Sequence, residues 1–100
     1  MKKTICDDIA ARELFLYASN NQLLYTMYVQ PILKNFRRKI KEDTFNARLA
    51  PKAFDSCVRD AARLYCRGFG SPNQAYHEMF NAATRRETAR MMYEYFEDEI

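Results

Sequence analysis

The side chains of this chain that could do chemistry are mostly cationic, and they are concentrated in one third of its length. Residues 34–67 contain ten lysines and arginines but only four acids, so this interval carries a formal charge of +6. Because the whole chain carries +3, the remaining residues sum to −3, and much of that charge lies in the terminal EYFEDEI. A concentrated field of one sign attracts partners of the opposite sign, phosphate polymers among them.

Eight of these cations recur at helical spacing on two segments. At about 100° per residue, both sets fall opposite the apolar face of their helix, which Phe36 marks in the first segment. The first set is Lys34, Arg37, Arg38 and Lys41, and the second is Lys52, Arg59, Arg63 and Arg67. If the two helices pack side by side, the two stripes would merge into one surface able to neutralise several phosphates.

Catalytic and metal-binding motifs find little support in the sequence. His77 is the single histidine, and the adjacent Glu78 cannot face it in a helix because neighbouring side chains diverge by about 100°. A second histidine, which HExxH or a His/Cys zinc set would require, is missing. Gly68 and Gly70 are followed by Ser-Pro rather than by the GK[ST] of a phosphate-binding loop. We therefore predict a protein that is not an enzyme and that has no metal or other cofactor.

Cysteine usage and hydropathy bear on location. The three cysteines are an odd number without the paired spacing of a disulfide scaffold or a zinc site, which fits a reducing compartment. We expect Cys57 to be a buried thiol, and Cys6 and Cys66 to be exposed or half-buried. No apolar run approaches the roughly 20 residues that span a bilayer. The first residues run into Asp7-Asp8, where a secretory signal would have its apolar segment. These features predict a cytoplasmic protein without a membrane partner.

The spacing of apolar residues is helical throughout. They recur at intervals of three and four, and only two glycines interrupt them. A chain of 100 residues can bury one apolar core but hardly two. We predict an all-α fold, a compact single domain over residues 1–100 with a bundle-like arrangement of four to five helices, in which residues 1–7 are flexible.

Helix starts and interruptions can be assigned from local chemistry. Asp7 or Asp8 is expected to cap the first helix, and Asn21 the second, because their side-chain oxygens can accept hydrogen bonds from free amides of the first turn. Pro31 lies inside the second helix, where it removes a backbone donor and collides with the preceding turn. We therefore predict a kink near Gln30.

The later helices have less certain starts. The third is predicted to begin at Pro51 and to end at Gly68. The string Ser71-Pro72-Asn73-Gln74 resembles a capping box that opens a short fourth helix. The last helix begins near Asn81 or at a second possible box, Thr84-Arg85-Arg86-Glu87. The paired arginines of that string could form an anion site at a helix start, yet a capping box accounts for its threonine and glutamate with fewer assumptions.

The apolar faces of these helices predict the core. Ile40 and Ala53 are expected on the apolar faces of the second and third helices, respectively. The predicted core is Leu14, Tyr17, Val29, Ile32, Phe36, Phe54, Val58, Leu64, Tyr65, Phe80, Met92 and Phe96.

Three strings, QPILKNFRRK (30–39), GFGSPNQAYHEMF (68–80) and NAATRRETAR (81–90), occur in this order. With them the chain resembles a group of small all-helical proteins encoded by bacteriophages and other mobile elements, over most of its length from Leu14 to Phe96. The resemblance implies an α-helical fold, a mobile-element setting and the cytoplasm of a bacterial host, and it carries over no functional residues. The chain departs from the group after the basic helix, where Glu42-Asp43-Thr44 replaces a connection that contains glycine.

The basic stripes leave several functions open. We predict a sequence-tolerant nucleic-acid-binding protein that contacts backbone phosphates through the eight cations. The alternative is an inhibitor or modulator of a host defence or replication enzyme that presents the same patch, or the acidic end, to a charged protein surface. A third hypothesis is a regulatory subunit that forms a homodimer through a leftover apolar stripe. The cations could also be only the solvated face of amphipathic helices, although such a face would normally mix glutamate with lysine at i,i+4.

Overall fold

Residues 5–100 are described by the computed structural model of the chain, and within them the backbone forms helices and no strand. In chain order the elements are α1 (Asp8–Ser19), α2 (Gln22–Leu24), a π turn (Tyr25–Val29), α3 (Gln30–Lys41), a 3-10 turn (Ala50–Phe54), α4 (Asp55–Cys66), α5 (Pro72–Met79), α6 (Ala82–Phe96) and a last 3-10 turn (Glu97–Glu99). Because α2, the π turn and α3 are continuous, the described residues form five helices. The predicted all-α class is confirmed.

The first two helices are capped as the sequence predicted. The Asp7 carboxylate accepts hydrogen bonds from the amides of Ile9 and Ala10, each at 3.1 Å. The Asn21 side-chain oxygen accepts from the Leu24 amide at 3.0 Å. The backbone amide of Asp7 also donates to the Thr84 hydroxyl at 3.0 Å, which ties the start of α1 to α6. Residues 1–7 were predicted to be flexible, and of these residues 1–4 lie outside the described residues.

Neither predicted capping box forms, but the alternative start of the last helix near Asn81 is confirmed. Ser71 precedes α5 but its side chain makes no capping hydrogen bond. α6 begins one turn before the second predicted box, because the Asn81 side-chain oxygen accepts from the Thr84 amide at 2.8 Å. Thr84 is therefore inside the helix and buried, and the Glu87 carboxylate pairs with Arg90 instead of a backbone amide.

Where the sequence predicted a kink near Gln30, the helix contains a π turn in the five residues before Gln30. The Gln30 amide donates to the carbonyl of Tyr25, five residues back rather than four. A π turn is wider than an α turn, so it relieves the crowding that the proline ring would otherwise impose on the preceding turn. Tyr28, within the π turn, donates a hydrogen bond to the Asp60 carboxylate and so joins this helix to α4.

α3 ends at a tight turn in which the backbone of Asp43 has φ 57°. The Asp43 amide donates to the Ile40 carbonyl at 3.1 Å, and the Thr44 amide donates to the Lys39 carbonyl at 2.8 Å. These two bonds form a Schellman motif, whose left-handed residue is usually glycine. Aspartate is among the few other residues that adopt this conformation readily.

α6 is the centre of the packing, because it contacts α1, α4 and the 3-10 turn before α4. Phe54, at the end of that turn, packs against Phe36 of α3 and Phe96 of α6, with ring centroids 6.2 and 6.4 Å apart. The predicted core is largely right. Its buried members are Leu14, Val29, Phe36, Phe54, Val58, Phe80, Met92 and Phe96, and those partly buried against it are Tyr17, Ile32, Leu64 and Tyr65.

Three positions predicted from helical periodicity are wrong. α3 packs against the 3-10 turn at Phe36. Ile40 is 50% exposed because it lies one turn later, in the last turn of α3. Ala53 is exposed because its segment is a 3-10 turn, in which the rotation per residue differs from that of an α-helix. Cys66 is buried like Cys57, because α5 packs on α4 and covers a second side of it. Burial raises the pKa of the Cys57 thiol to about 12.

Candidate anion-binding surfaces

The first basic surface, the α3 stripe, consists of Lys34, Arg37, Arg38 and Lys41. Leu33 and Phe36 are buried, so the opposite side of α3 faces solvent. All four cations of the stripe are exposed, and together with Pro31 and Asn35 they line a shallow, open depression. The stripe lies where the sequence placed it, opposite the apolar face of α3.

Two of the four cations in the α3 stripe have polar partners. The Arg38 guanidinium pairs with the Glu42 carboxylate at 2.8 Å and donates to the Asn35 side-chain oxygen at 2.5 Å. The Arg37 guanidinium donates to the backbone carbonyl of Glu99, so the acidic end of the chain lies against this helix. Lys34 and Lys41 take part in none of the ion pairs found among residues 5–100. An exposed pair such as Arg38 with Glu42 contributes little free energy and leaves the positive field largely in place.

The second predicted stripe does not continue the first. Contacts between the two helical segments are made by the π turn with α4 and by α3 with the 3-10 turn, so α3 and α4 do not pack along their lengths. The four cations of the second set are all exposed, but they point into two different places. Lys52 and Arg59 face α6, whereas Arg63 and Arg67 lie beside the π turn.

The surface shared with α6, which we call the α4–α6 cleft, has a volume of about 260 Å³. Its cations come from three elements: Lys52 from the 3-10 turn, Arg59 from α4, and Arg85 and Arg86 from α6. Its other lining residues are Pro51, Asp55, Ala82 and Ala89. The structure thus brings two predicted site residues together with two arginines that sequence reasoning had set aside.

Arg85 is held in place by its neighbours. Its guanidinium donates to the Phe80 carbonyl at 2.6 Å, and its Cζ atom lies 5.1 Å from the ring centroid of Tyr76. The Cζ atom of Arg63 lies 5.8 Å from the same centroid. A cation over an aromatic face is attracted by the ring, so Tyr76 links α4 and α6 through two arginines.

The sequence contains a signal for these arginines. Arg85 and Arg86 stand next to each other within one turn of a helix start, and the competing explanation was a capping box formed by Thr84 and Glu87. Because Asn81 provides the cap, that explanation does not hold. The proximity of Arg59 depends on the packing of α4 against α6, which local pattern does not reveal.

A third surface, which we call the Met27 groove, lies between the π turn and α4. Leu23 and Met27 are 60% and 57% exposed there, beside Arg63 and Arg67. Asp60 lies in the same groove, where it accepts from the Tyr28 hydroxyl and lies 3.7 Å from the Arg63 guanidinium. The hydrogen bond to Asp60 raises the pKa of Tyr28. This surface is mixed, with exposed apolar side chains and charges of both signs.

Other candidate chemistry is sparse in the described part of the chain. His77 is exposed on α5 and makes an edge contact with the ring of Tyr76. Within residues 5–100, no three histidine, cysteine or acidic side chains converge as a metal ion would require. None of the helices in this range has the length and apolar character needed to cross a membrane. Comparison of the chain with protein-family models, curated proteins and solved structures gives no match.

Proposed function

We propose that the protein binds nucleic acid with little sequence preference through the α3 stripe. The observation that carries this proposal is the sign asymmetry of one exposed helix face, on which four cations are accompanied by one paired carboxylate, that of Glu42. A face that served only to keep a helix in water would mix both signs throughout, whereas here three further cations accompany a single i,i+4 pair, Arg38 with Glu42. Charges are mixed in this way on α6, where Arg90 pairs with both Glu87 and Glu94.

The geometry of the stripe suits backbone phosphates better than base edges. From Lys34 to Lys41 the helix rises roughly 10 Å, which corresponds to about three base-pair steps of duplex. Asn35 is the side chain of this surface that could read an adenine by two hydrogen bonds, and its oxygen is occupied by Arg38. Contacts from lysine and arginine to phosphate give affinity and register without sequence information.

The salt dependence of binding tests the proposal. If four phosphates are neutralised, the slope of log K against log salt should be about −3.6 for duplex DNA. The substitutions Lys34→Gln and Lys41→Gln, which we call the stripe pair, remove two charges that have no ion-pair partner and should make the slope less steep by about 1.8. Fluorescence anisotropy of a labelled duplex with 5′-hydroxyl ends across a salt series measures both values.

The matched control removes the same charge elsewhere. Arg59→Gln with Arg86→Gln, which we call the cleft pair, also replaces two exposed cations outside the ion pairs found among residues 5–100. It should lower duplex affinity only through the long-range field and leave the slope nearly unchanged. Absence of binding to duplex and single strands at low salt, or equal slopes for the two pairs, would contradict the proposal.

A second candidate function is supported by the Met27 groove. Leu23 and Met27 expose apolar surface beside two arginines, and a phosphate backbone offers nothing apolar to cover it. An acidic and partly apolar segment of a host protein would satisfy both features. Capture of one host protein by the wild type and the stripe pair, but not by Met27→Glu, is the result expected of an inhibitor that docks there.

A further inference from the structure

We propose that the α4–α6 cleft is a binding site for a phosphate monoester group, separate from the nucleic-acid surface proposed for α3. The site is formed by the side chains of Lys52, Arg59, Arg85 and Arg86. It goes beyond the proposed function because its ligand is one terminal phosphate rather than a polymer backbone.

The charge of the cleft matches a dianion. Four cations face a single acid, Asp55, so the lining carries a formal charge of +3. None of the four cations takes part in the ion pairs found among residues 5–100, which involve Arg38, Arg63 and Arg90. A phosphate monoester carries about −1.5 to −2 at neutral pH, whereas each backbone diester carries −1. The excess charge of this site therefore favours the monoester.

The shape of the cleft distinguishes it from the α3 stripe. Its walls belong to two packed segments, and small residues, Ala82 and Ala89, line it on the side of α6. These short side chains allow a ligand to approach the helix closely. Ala82 is also the first residue of α6, where the positive end of the helix dipole adds to the field of the arginines.

One arginine of the site is already ordered before any ligand binds. Arg85 is half-buried, donates one hydrogen bond to the Phe80 carbonyl and packs on Tyr76. A guanidinium has five N–H donors, so this arrangement leaves others available to a phosphate oxygen. A side chain fixed in advance loses less conformational entropy on binding. Arg59 and Arg86 are more exposed, and they can contact the ligand from the α4 side and the α6 side of the cleft.

The size of the cleft limits what can enter it. Its volume of about 260 Å³ lies below the roughly 300–1,000 Å³ of pockets that enclose drug-sized ligands. A phosphate group and the atoms next to it fit, while the rest of a larger ligand stays in solvent. Such a group can come from a free nucleotide or from the 5′-terminal phosphate of a nucleic acid.

An NMR titration with inorganic phosphate, with ionic strength held constant by chloride, tests the site directly. Amide shifts should concentrate at the start of α6 and along the α4 face that carries Arg59. We expect the cleft pair to weaken phosphate binding roughly tenfold or more, since it removes two charged hydrogen-bond donors from the site. The stripe pair removes the same charge and should change the affinity by less than about twofold, since its charges lie in another place and are screened by salt. Unchanged melting temperatures for both pairs would show that folding is intact.

Two further binding comparisons identify the source of the phosphate group. A short oligonucleotide with a 5′-phosphate is compared with the same oligonucleotide ending in a hydroxyl, and AMP is compared with adenosine. A larger gain in affinity from the 5′-phosphate on the oligonucleotide than on AMP, each measured against its own unphosphorylated form, assigns the site to nucleic-acid ends, and a gain with AMP that is at least as large assigns it to free nucleotides. Both results support a monoester site. Shifts that are absent from the cleft, or that the two variant pairs weaken equally, would overturn it without affecting the salt slope that tests the α3 stripe.

Discussion

The α3 stripe and the α4–α6 cleft contain four cations each, but they differ in how the surrounding chain holds them. The stripe is a single exposed helix face, and its depression is shallow and open. The cleft takes its cations from three elements and fixes one of them against Tyr76. The same number of charges therefore makes two different surfaces, and we propose a row of phosphates as the ligand of one and a single phosphate as the ligand of the other. Tertiary packing, rather than charge count, determines which ligand a basic region can select.

The largest effect on both regions is expected from Phe54→Ala. Phe54 is fully buried between Phe36 of α3 and Phe96 of α6, so its ring supports the stripe and the cleft together. We expect a loss of about 3–5 kcal/mol in the free energy of unfolding, measured by urea denaturation. Ala53→Gly, at the exposed neighbouring position, is the control and should cost less than about 1 kcal/mol. Equal denaturation midpoints for wild type and Phe54→Ala would show that the two regions do not share this support.

A smaller effect, on phosphate binding, is expected from Tyr76→Leu, which also removes a ring that is buried in the core. Loss of the ring removes the surface on which Arg85 lies, and an interaction of this kind contributes about 0.5–1 kcal/mol at exposed sites. Phosphate affinity measured by NMR should fall roughly two- to fivefold, while the salt slope for duplex DNA stays the same. Tyr76→Phe keeps the aromatic face and should retain wild-type affinity. A change in duplex binding with Tyr76→Leu would contradict the separation of the two surfaces.

The smallest effect is expected at the end of the stripe, from Asp43→Gly. The φ of 57° at Asp43 lies in the left-handed region, which glycine adopts without steric cost. We expect a gain of no more than about 1 kcal/mol, partly offset by the greater entropy of glycine in the unfolded chain. Thermal unfolding measures it, and Asp43→Asn, which also tolerates this conformation, should stay close to the wild type. A clear loss of stability with glycine would indicate that the aspartate side chain itself holds the turn.

The sequence predicted the stripe well because the stripe depends on one helix alone. Lys34 and Lys41 are two turns apart, and the burial of Phe36 between them determines which way they face. The all-α fold and the caps at Asp7 and Asn21 were predictable for the same reason, since each rests on residues a few positions apart.

The cleft was not predictable, because its parts are distant in sequence. Arg59 and Arg85 come together only through the packing of α4 against α6. The position of Arg85 also depends on Asn81, rather than Thr84, being the residue that caps α6. The errors at Ile40 and Cys66 have the same origin. Helical periodicity gives the direction of a side chain, but the neighbouring elements determine whether anything covers it.

The π turn at Tyr25–Val29 affects how the Met27 groove can change during evolution. A π turn accommodates one residue more than the α turn that it replaces, so it is equivalent to a single-residue insertion in a regular helix. Deletion of one residue there would restore the α-helical register and rotate Gln22–Leu24 by about 100° relative to α3. Leu23 would then leave the groove beside α4, while Lys34 and Lys41 kept their positions. Insertions and deletions at this point can therefore change the direction of the apolar side chains before Pro31 without altering the basic face that follows it.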